Sequence, residues 1–141
     1  MKKLLLTLIL LTTTLGISQN LLSPSEFLGY ELGSEFTRHH QVVEYYKYLA
    51  DNASANVKLM EYGKTNERRP LILAYVSTAE NIADLESIRR EHLKNTTGDG
   101  SPTKAIVWLS YNVHGNESVS TEASMQTIYE LLTTKASYLK N

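Results

Sequence analysis

The stretch KAIVWLSYNV, Lys104 to Val113, limits what this chain can fold into more than any other. Ile106 to Leu109 are apolar without a break, and Tyr111 and Val113 prolong the run. It is the strongest strand candidate in the chain. A second run, Leu71 to Val76, is rich enough in apolar residues to fit a strand covered on both faces. Before it, Val57, Leu59 and Glu61 alternate with Lys58, Met60 and Tyr62, and a charged, breaker-rich turn from Gly63 to Arg69 separates the two. That spacing predicts a hairpin whose second strand opens at Pro70.

Helical spacing surrounds these strands. Val42, Tyr45, Tyr46 and Leu49 recur at i, i+3, i+4 and i+7 in RHHQVVEYYKYLADNAS, which predicts a helix ending near Asp51 and Asn52. A second helix is predicted from Ile82 to Leu93, with Ile82, Leu85 and Ile88 on one side. Met125, Ile128, Tyr129 and Leu132 predict a third, and Ala136 and Leu139 continue its stripe with no glycine or proline to stop it. Helix, hairpin, helix, strand and helix in that order imply an α/β fold, a mixed, partly parallel sheet flanked by helices. The tyrosine-rich EYYKYL reads as a helix face on the core rather than a sugar-stacking platform.

The ends and the composition narrow the setting. Lys2 and Lys3 precede an apolar run from Leu4 to Leu15, with Gly16 and Ser18 behind it. This is the layout of a secretory signal peptide over residues 1–18, too short and threonine-rich to span a bilayer comfortably. It predicts a secreted or periplasmic protein. With no cysteine near the cleavage point, no lipid anchor and no stable membrane anchor are expected. Residues 19–35, with Pro24, Gly29 and Gly33, read as an irregular lead-in, and residues 36–141 as the folded part. Without Lys2 and Lys3, twelve basic side chains face fifteen acidic ones, a net charge of −3. That speaks against nucleic acid or an anionic membrane surface as partner. The absence of cysteine removes disulfides, thiol nucleophiles and cysteine zinc knuckles from consideration.

The chemistry-bearing residues come directly after the apolar run. His114 and Glu117 stand three apart in YNVHGNES. Zinc accepts imidazole nitrogen and carboxylate oxygen, and a catalytic zinc needs three protein ligands and one open position. Gly115 offers the backbone freedom to turn both side chains onto one ion, and the C-terminal edge of a parallel strand is where α/β sheets place ligands. Spacing alone leaves a plainer reading open: Glu117 complements the dipole of the following helix, and His114 bonds to backbone at a strand end.

Two motifs in order then carry a resemblance. HGNE, between an apolar strand and the helix opening TEASMQTIYELL, and the upstream YGKTNERRPLILAYVS together resemble the zinc carboxypeptidase family typified by carboxypeptidase A, over Asn56 to Leu132. Arg68 stands where the family usually has glycine in the turn. Asn116 stands where it often has a substrate-contacting arginine. The HGNE form is also similar to relatives that deacylate N-acyl amino acids. The resemblance implies that His114 and Glu117 are two of three ligands to Zn2+, and that the substrates are peptide or protein C-termini. It implies a second histidine ligand about a hundred residues further on and a glutamate general base later still. No histidine follows His114 and no arginine follows Arg90. The expectation is therefore the N-terminal part of a zinc carboxypeptidase-like catalytic domain, inactive by itself, with its general base beyond Asn141. Two alternatives stay in view: a zinc amidohydrolase on N-acyl amino acids or cell-wall peptides, and a non-catalytic secreted binding module.

The other candidates have ordinary roles. His39 and His40 at a helix start suit capping or solvent. His92 suits the C-terminal end of its helix, and Arg68 with Arg69 makes a charged turn. Asn52, Asn95 and Asn116 each open an N-x-S/T triplet.

Overall fold

The computed structural model describes residues 20–140. The signal peptide expected at residues 1–18 lies outside them.

The segment expected to be irregular contains a helix. Ser23, Pro24 and Glu26 form a start signal: the Ser23 N–H donates to Glu26 Oε2 at 2.8 Å, and the Glu26 N–H donates to Ser23 Oγ at 3.3 Å. This capping box, with proline in the first turn, opens α1, Pro24–Leu28. Gly29 at φ 80° closes it.

The helix α2, His39–Asn52, forms on the expected stripe. Tyr45 and Leu49 are fully buried and meet Met125 and Ile128 of a later helix in the core. Phe27 brings α1 onto the same face, its ring 5.1 Å from that of Tyr45 and 5.4 Å from that of Tyr48. Both tyrosine hydroxyls find backbone partners in Leu22: Tyr45 donates to its carbonyl at 3.0 Å, and Tyr48 accepts from its N–H at 2.8 Å. The aromatic face is a core face, with the polar tips satisfied at its rim.

The hairpin is as the spacing predicts. β1, Val57–Lys64, pairs antiparallel with β2, Pro70–Val76, from Val57 opposite Val76 to Lys64 opposite Pro70. A bulge at Tyr62 shifts the register between Glu61 and Gly63. The Arg68 N–H donates to the Thr65 carbonyl and Arg68 itself lies at φ 62°. This is a three-residue hairpin loop ending in a left-handed residue.

Three expectations are corrected. The helix predicted from Ile82 to Leu93 is two helices, α3 Ala79–Ala83 and α4 Leu85–Thr96. Asp84, at φ −109° and ψ 19°, breaks the ladder between them. The last helix, α5, is Val119–Leu132, and the stripe does not continue to Ala136 and Leu139 as helix. Thr133 leaves helical geometry at ψ −90°, and its hydroxyl donates to the Tyr129 carbonyl at 2.7 Å. A 3-10 turn, Ala136–Lys140, comes after it.

The third correction is the largest. Lys104 to Val113 is not a strand. Among the described residues the sheet has two strands, both antiparallel, so the partly parallel arrangement is not formed. Ile106, Val107, Trp108 and Leu109 are 61%, 77%, 72% and 56% exposed. No backbone–backbone hydrogen bond joins Ala105 to Tyr111 to the rest of the described residues. An apolar run becomes a strand only when a neighbour supplies the other half of its ladder, and among the described residues none pairs with this one. The mixed α/β class holds, with helices on one small sheet.

A carboxylate fixes where α5 begins. Glu122, in the first turn of that helix, accepts from the Gly33 N–H, the Thr37 N–H and, at 2.7 Å, the Thr37 hydroxyl. It docks the start of α5 onto the chain between α1 and α2.

Candidate metal centre

The site lies where the unpaired apolar run meets the first turn of α5. Its turn begins earlier than the glycine suggests. Asn112, at φ 54°, is the left-handed residue, whereas Gly115 is not in that region. The expected role of Gly115 as the source of backbone freedom is therefore corrected. A Cβ on Gly115 would meet nothing within 4 Å.

From Asn112 the chain folds back on α5. The Asn112 N–H donates to Ser120 Oγ at 2.9 Å, and its side-chain amide donates to Thr121 Oγ1 at 2.8 Å. The Ser120 hydroxyl lies within reach of two acceptors, Asn112 Oδ1 at 2.9 Å and the Glu117 carbonyl at 3.1 Å. The Glu117 N–H donates to the His114 carbonyl at 3.1 Å and closes the tip.

At that tip the two predicted side chains come together. His114 Nδ1 lies 3.1 Å from Glu117 Oε1. The carboxylate accepts, so Nδ1 carries the proton. Both side chains are exposed, 69% and 57%, so nothing but the loop itself holds them in place. The plainer reading is half met. Glu117 does stand just before α5, but His114 bonds to a carboxylate and not to backbone.

The separation bears on what the pair could hold. Two donors each 2.0–2.2 Å from a tetrahedral zinc stand about 3.3 Å apart. Nδ1 and Oε1 at 3.1 Å meet that spacing with little movement. A shared ion would take the place of the Nδ1 proton. The donor set, one imidazole and one carboxylate, suits zinc. The pair is not a complete site: among the described residues no group of three His, Cys, Asp or Glu could hold a metal.

The other histidines do not join it. His39 and His40 open α2 and line an open groove of about 830 Å³ with Arg38, Lys47, Arg68 and Arg69. His92 is engaged by the Lys104 carbonyl at 2.7 Å, to which Nε2–H donates, and so ties α4 to the start of the unpaired apolar run. Sequence reasoning missed Asn112, Ser120 and Thr121. The signal available was an asparagine just ahead of a turn, with hydroxyl residues in the first turn of the next helix.

A family model described as zinc carboxypeptidase matches residues 42–141. No curated protein and no solved structure gives a significant match.

Proposed function

The chain belongs to the zinc carboxypeptidase family, and from that premise we propose that it is the N-terminal part of an exported metallocarboxypeptidase in which His114 and Glu117 are two of the zinc ligands. The family is zinc-dependent and of the peptidase kind, so the substrates are peptides. Within it, His114 offers Nδ1 and Glu117 its carboxylate, and their 3.1 Å separation is the observation that carries the assignment. A bound zinc supplies Lewis-acid polarisation of the scissile carbonyl and a water of lowered pKa. The work of this chain would be to present both donors at one point. Asn116, between the two ligands and exposed, offers substrate a neutral amide in place of a guanidinium. That predicts weaker discrimination for a substrate carboxylate at this position.

The third ligand and the general base are assigned to polypeptide beyond Asn141, and this chain by itself is proposed to be inactive. Export to the periplasm or medium rests on Lys2, Lys3 and the apolar run Leu4 to Leu15. No helix among the described residues is long and apolar enough to cross a membrane.

The test is zinc content of the exported protein, purified as wild type and as His114→Ala and Glu117→Ala. Each substitution removes one donor and should cost the protein its stoichiometric zinc. Stoichiometric zinc in both variants overturns the assignment.

A further inference from the structure

We propose that Asn112 and Ser120 are positioning residues, which hold the turn Val113 to Glu117 closed so that His114 Nδ1 and the Glu117 carboxylate stand at metal-sharing distance. The inference rests on reading that pair as zinc ligands. It starts from an imbalance: both donors are exposed, and the run before them is unpaired and bare. No packing aims the two side chains. What remains is a set of hydrogen bonds that cross the turn.

Ser120 is the centre of that set. Its oxygen accepts from the Asn112 N–H at 2.9 Å, on the incoming side of the turn. Its proton points to Asn112 Oδ1 or to the Glu117 carbonyl, at 2.9 and 3.1 Å, so one hydroxyl spans both sides. Asn112 fits its position for two separate reasons. At φ 54° an ordinary L residue is disfavoured, while asparagine tolerates the region because its short amide bonds locally. The amide also has a donor and an acceptor, and both are used, toward Thr121 and Ser120. Aspartate would lose the donor. Glycine would keep the backbone and lose both side-chain bonds.

The test reads the pair without metal and with it, on the full chain. Without metal, ring 15N shifts of His114 report the tautomer at a pH where the imidazole is neutral. The wild type should show Nδ1–H, held by Glu117. Ser120→Ala and Asn112→Ala should move His114 toward Nε2–H, the form a free imidazole prefers. Asn112→Gly, which leaves the backbone free to keep its left-handed turn, should fall between. With metal, zinc affinity by competition against a chelating indicator should drop about ten-fold or more in Ser120→Ala, the usual cost of losing a group that orients a ligand. Circular dichroism checks that each variant is folded, and Thr121→Val, which removes one outer bond, serves if Asn112→Ala is not. Folded variants with the wild-type tautomer and zinc affinity overturn the inference and leave the ligand assignment standing. A tautomer change in the variants, with a wild type that binds no zinc, keeps the turn-closing role and sinks the ligand assignment.

Discussion

Leu71–Val76 and Ile106–Leu109 are runs of like composition with opposite outcomes. The first is a strand with every residue half-buried, and its Ala74 and Val76 reach the core formed by α2 and α5. The second is irregular, unpaired and more than half exposed at every position from Ile106 to Leu109. What separates them is distance to a partner. β2 finds β1 across a three-residue loop, so its ladder closes at small entropic cost. The later run comes after α4 and a loop, and among the described residues it pairs with no strand. Apolar character supplies the need for burial, but a neighbouring edge decides whether that need is met.

The sharpest way to break this contrast is to compare side-chain deletions in the two settings. Leu49→Ala empties a fully buried position and should cost about 2–5 kcal/mol in urea unfolding. Trp108→Ser removes a larger apolar side chain from an exposed one and should change stability by only about 0.5 kcal/mol either way. Trp108 is the chain's single tryptophan, so its fluorescence reads the region alone. Emission should be that of a water-exposed indole. A blue-shifted band from the isolated chain, with a large cost for Trp108→Ser, would mean the run is packed after all.

A second comparison sets buried tyrosines against alkali. Burial pushes the Tyr46 hydroxyl up to about 12 and raises Tyr45 as well, although the Ser124 side chain pulls Tyr46 the other way. The neutral form is the one the fold favours. Stability from these groups is therefore full below pH 10, where an unfolded tyrosine keeps its proton. It declines as pH rises from about 10 toward 12, by up to ~1.4 kcal/mol per pH unit for each group. Thermal melts across that range should show the decline, and Tyr46→Phe should make it shallower. An unchanged slope in that variant would place Tyr46 outside the cooperative core.

The packed half was largely legible in advance, and for one reason. Val42, Tyr45, Tyr46 and Leu49 repeat at the helical period, as do Met125, Ile128, Tyr129 and Leu132, and a period is a local property of sequence. The start of α1 was missed: Pro24, Gly29 and Gly33 suggested an irregular path, although Ser23-Pro24-Ser25-Glu26 carries a capping signal. The end of α5 was not legible, because the chain leaves helical geometry at Thr133 without glycine or proline. The run from Lys104 failed for a physical reason: pairing is a relation between segments, and a segment's own residues do not contain it. In the site, His114 and Glu117 were legible as a spacing. Asn112 and Ser120 were not, because their bonds join positions eight apart across a turn.

Glu122 links the packed half to the site. Its carboxylate satisfies two backbone N–H groups and a hydroxyl from the segment Gly33 to Thr37. Glu122→Ala leaves those donors without their partner and should cost about 1–3 kcal/mol. If hydrogen exchange in the variant quickened only near Gly33 and Thr37, the tie would be local. Faster exchange at Asn112 and Ser120 as well would mean that it also steadies the turn carrying His114 and Glu117.

A smaller effect than at Glu122 is expected at the two non-glycine residues that are left-handed among the described residues. Asn112 at φ 54° has three bonds that hold it there, and Arg68 at φ 62° in the hairpin loop has a different support. The Arg68 N–H closes the loop onto Thr65, but its side chain adds nothing to the backbone geometry. Arginine is thus strained by its Cβ, while glycine would not be. Arg68→Gly relieves that strain and gives back part of the gain as extra freedom in the unfolded chain. A net stabilisation of about 0.5–1 kcal/mol is expected from urea midpoints. The same change at Asn112 should not stabilise, because there the side chain bonds across the turn as well as tolerating the angle. A gain at both positions would mean that the bonds around Asn112 contribute nothing to holding the loop. A loss at Arg68 would mean that its guanidinium, beside Arg69 and Lys47 in the groove, has a partner worth more than the strain.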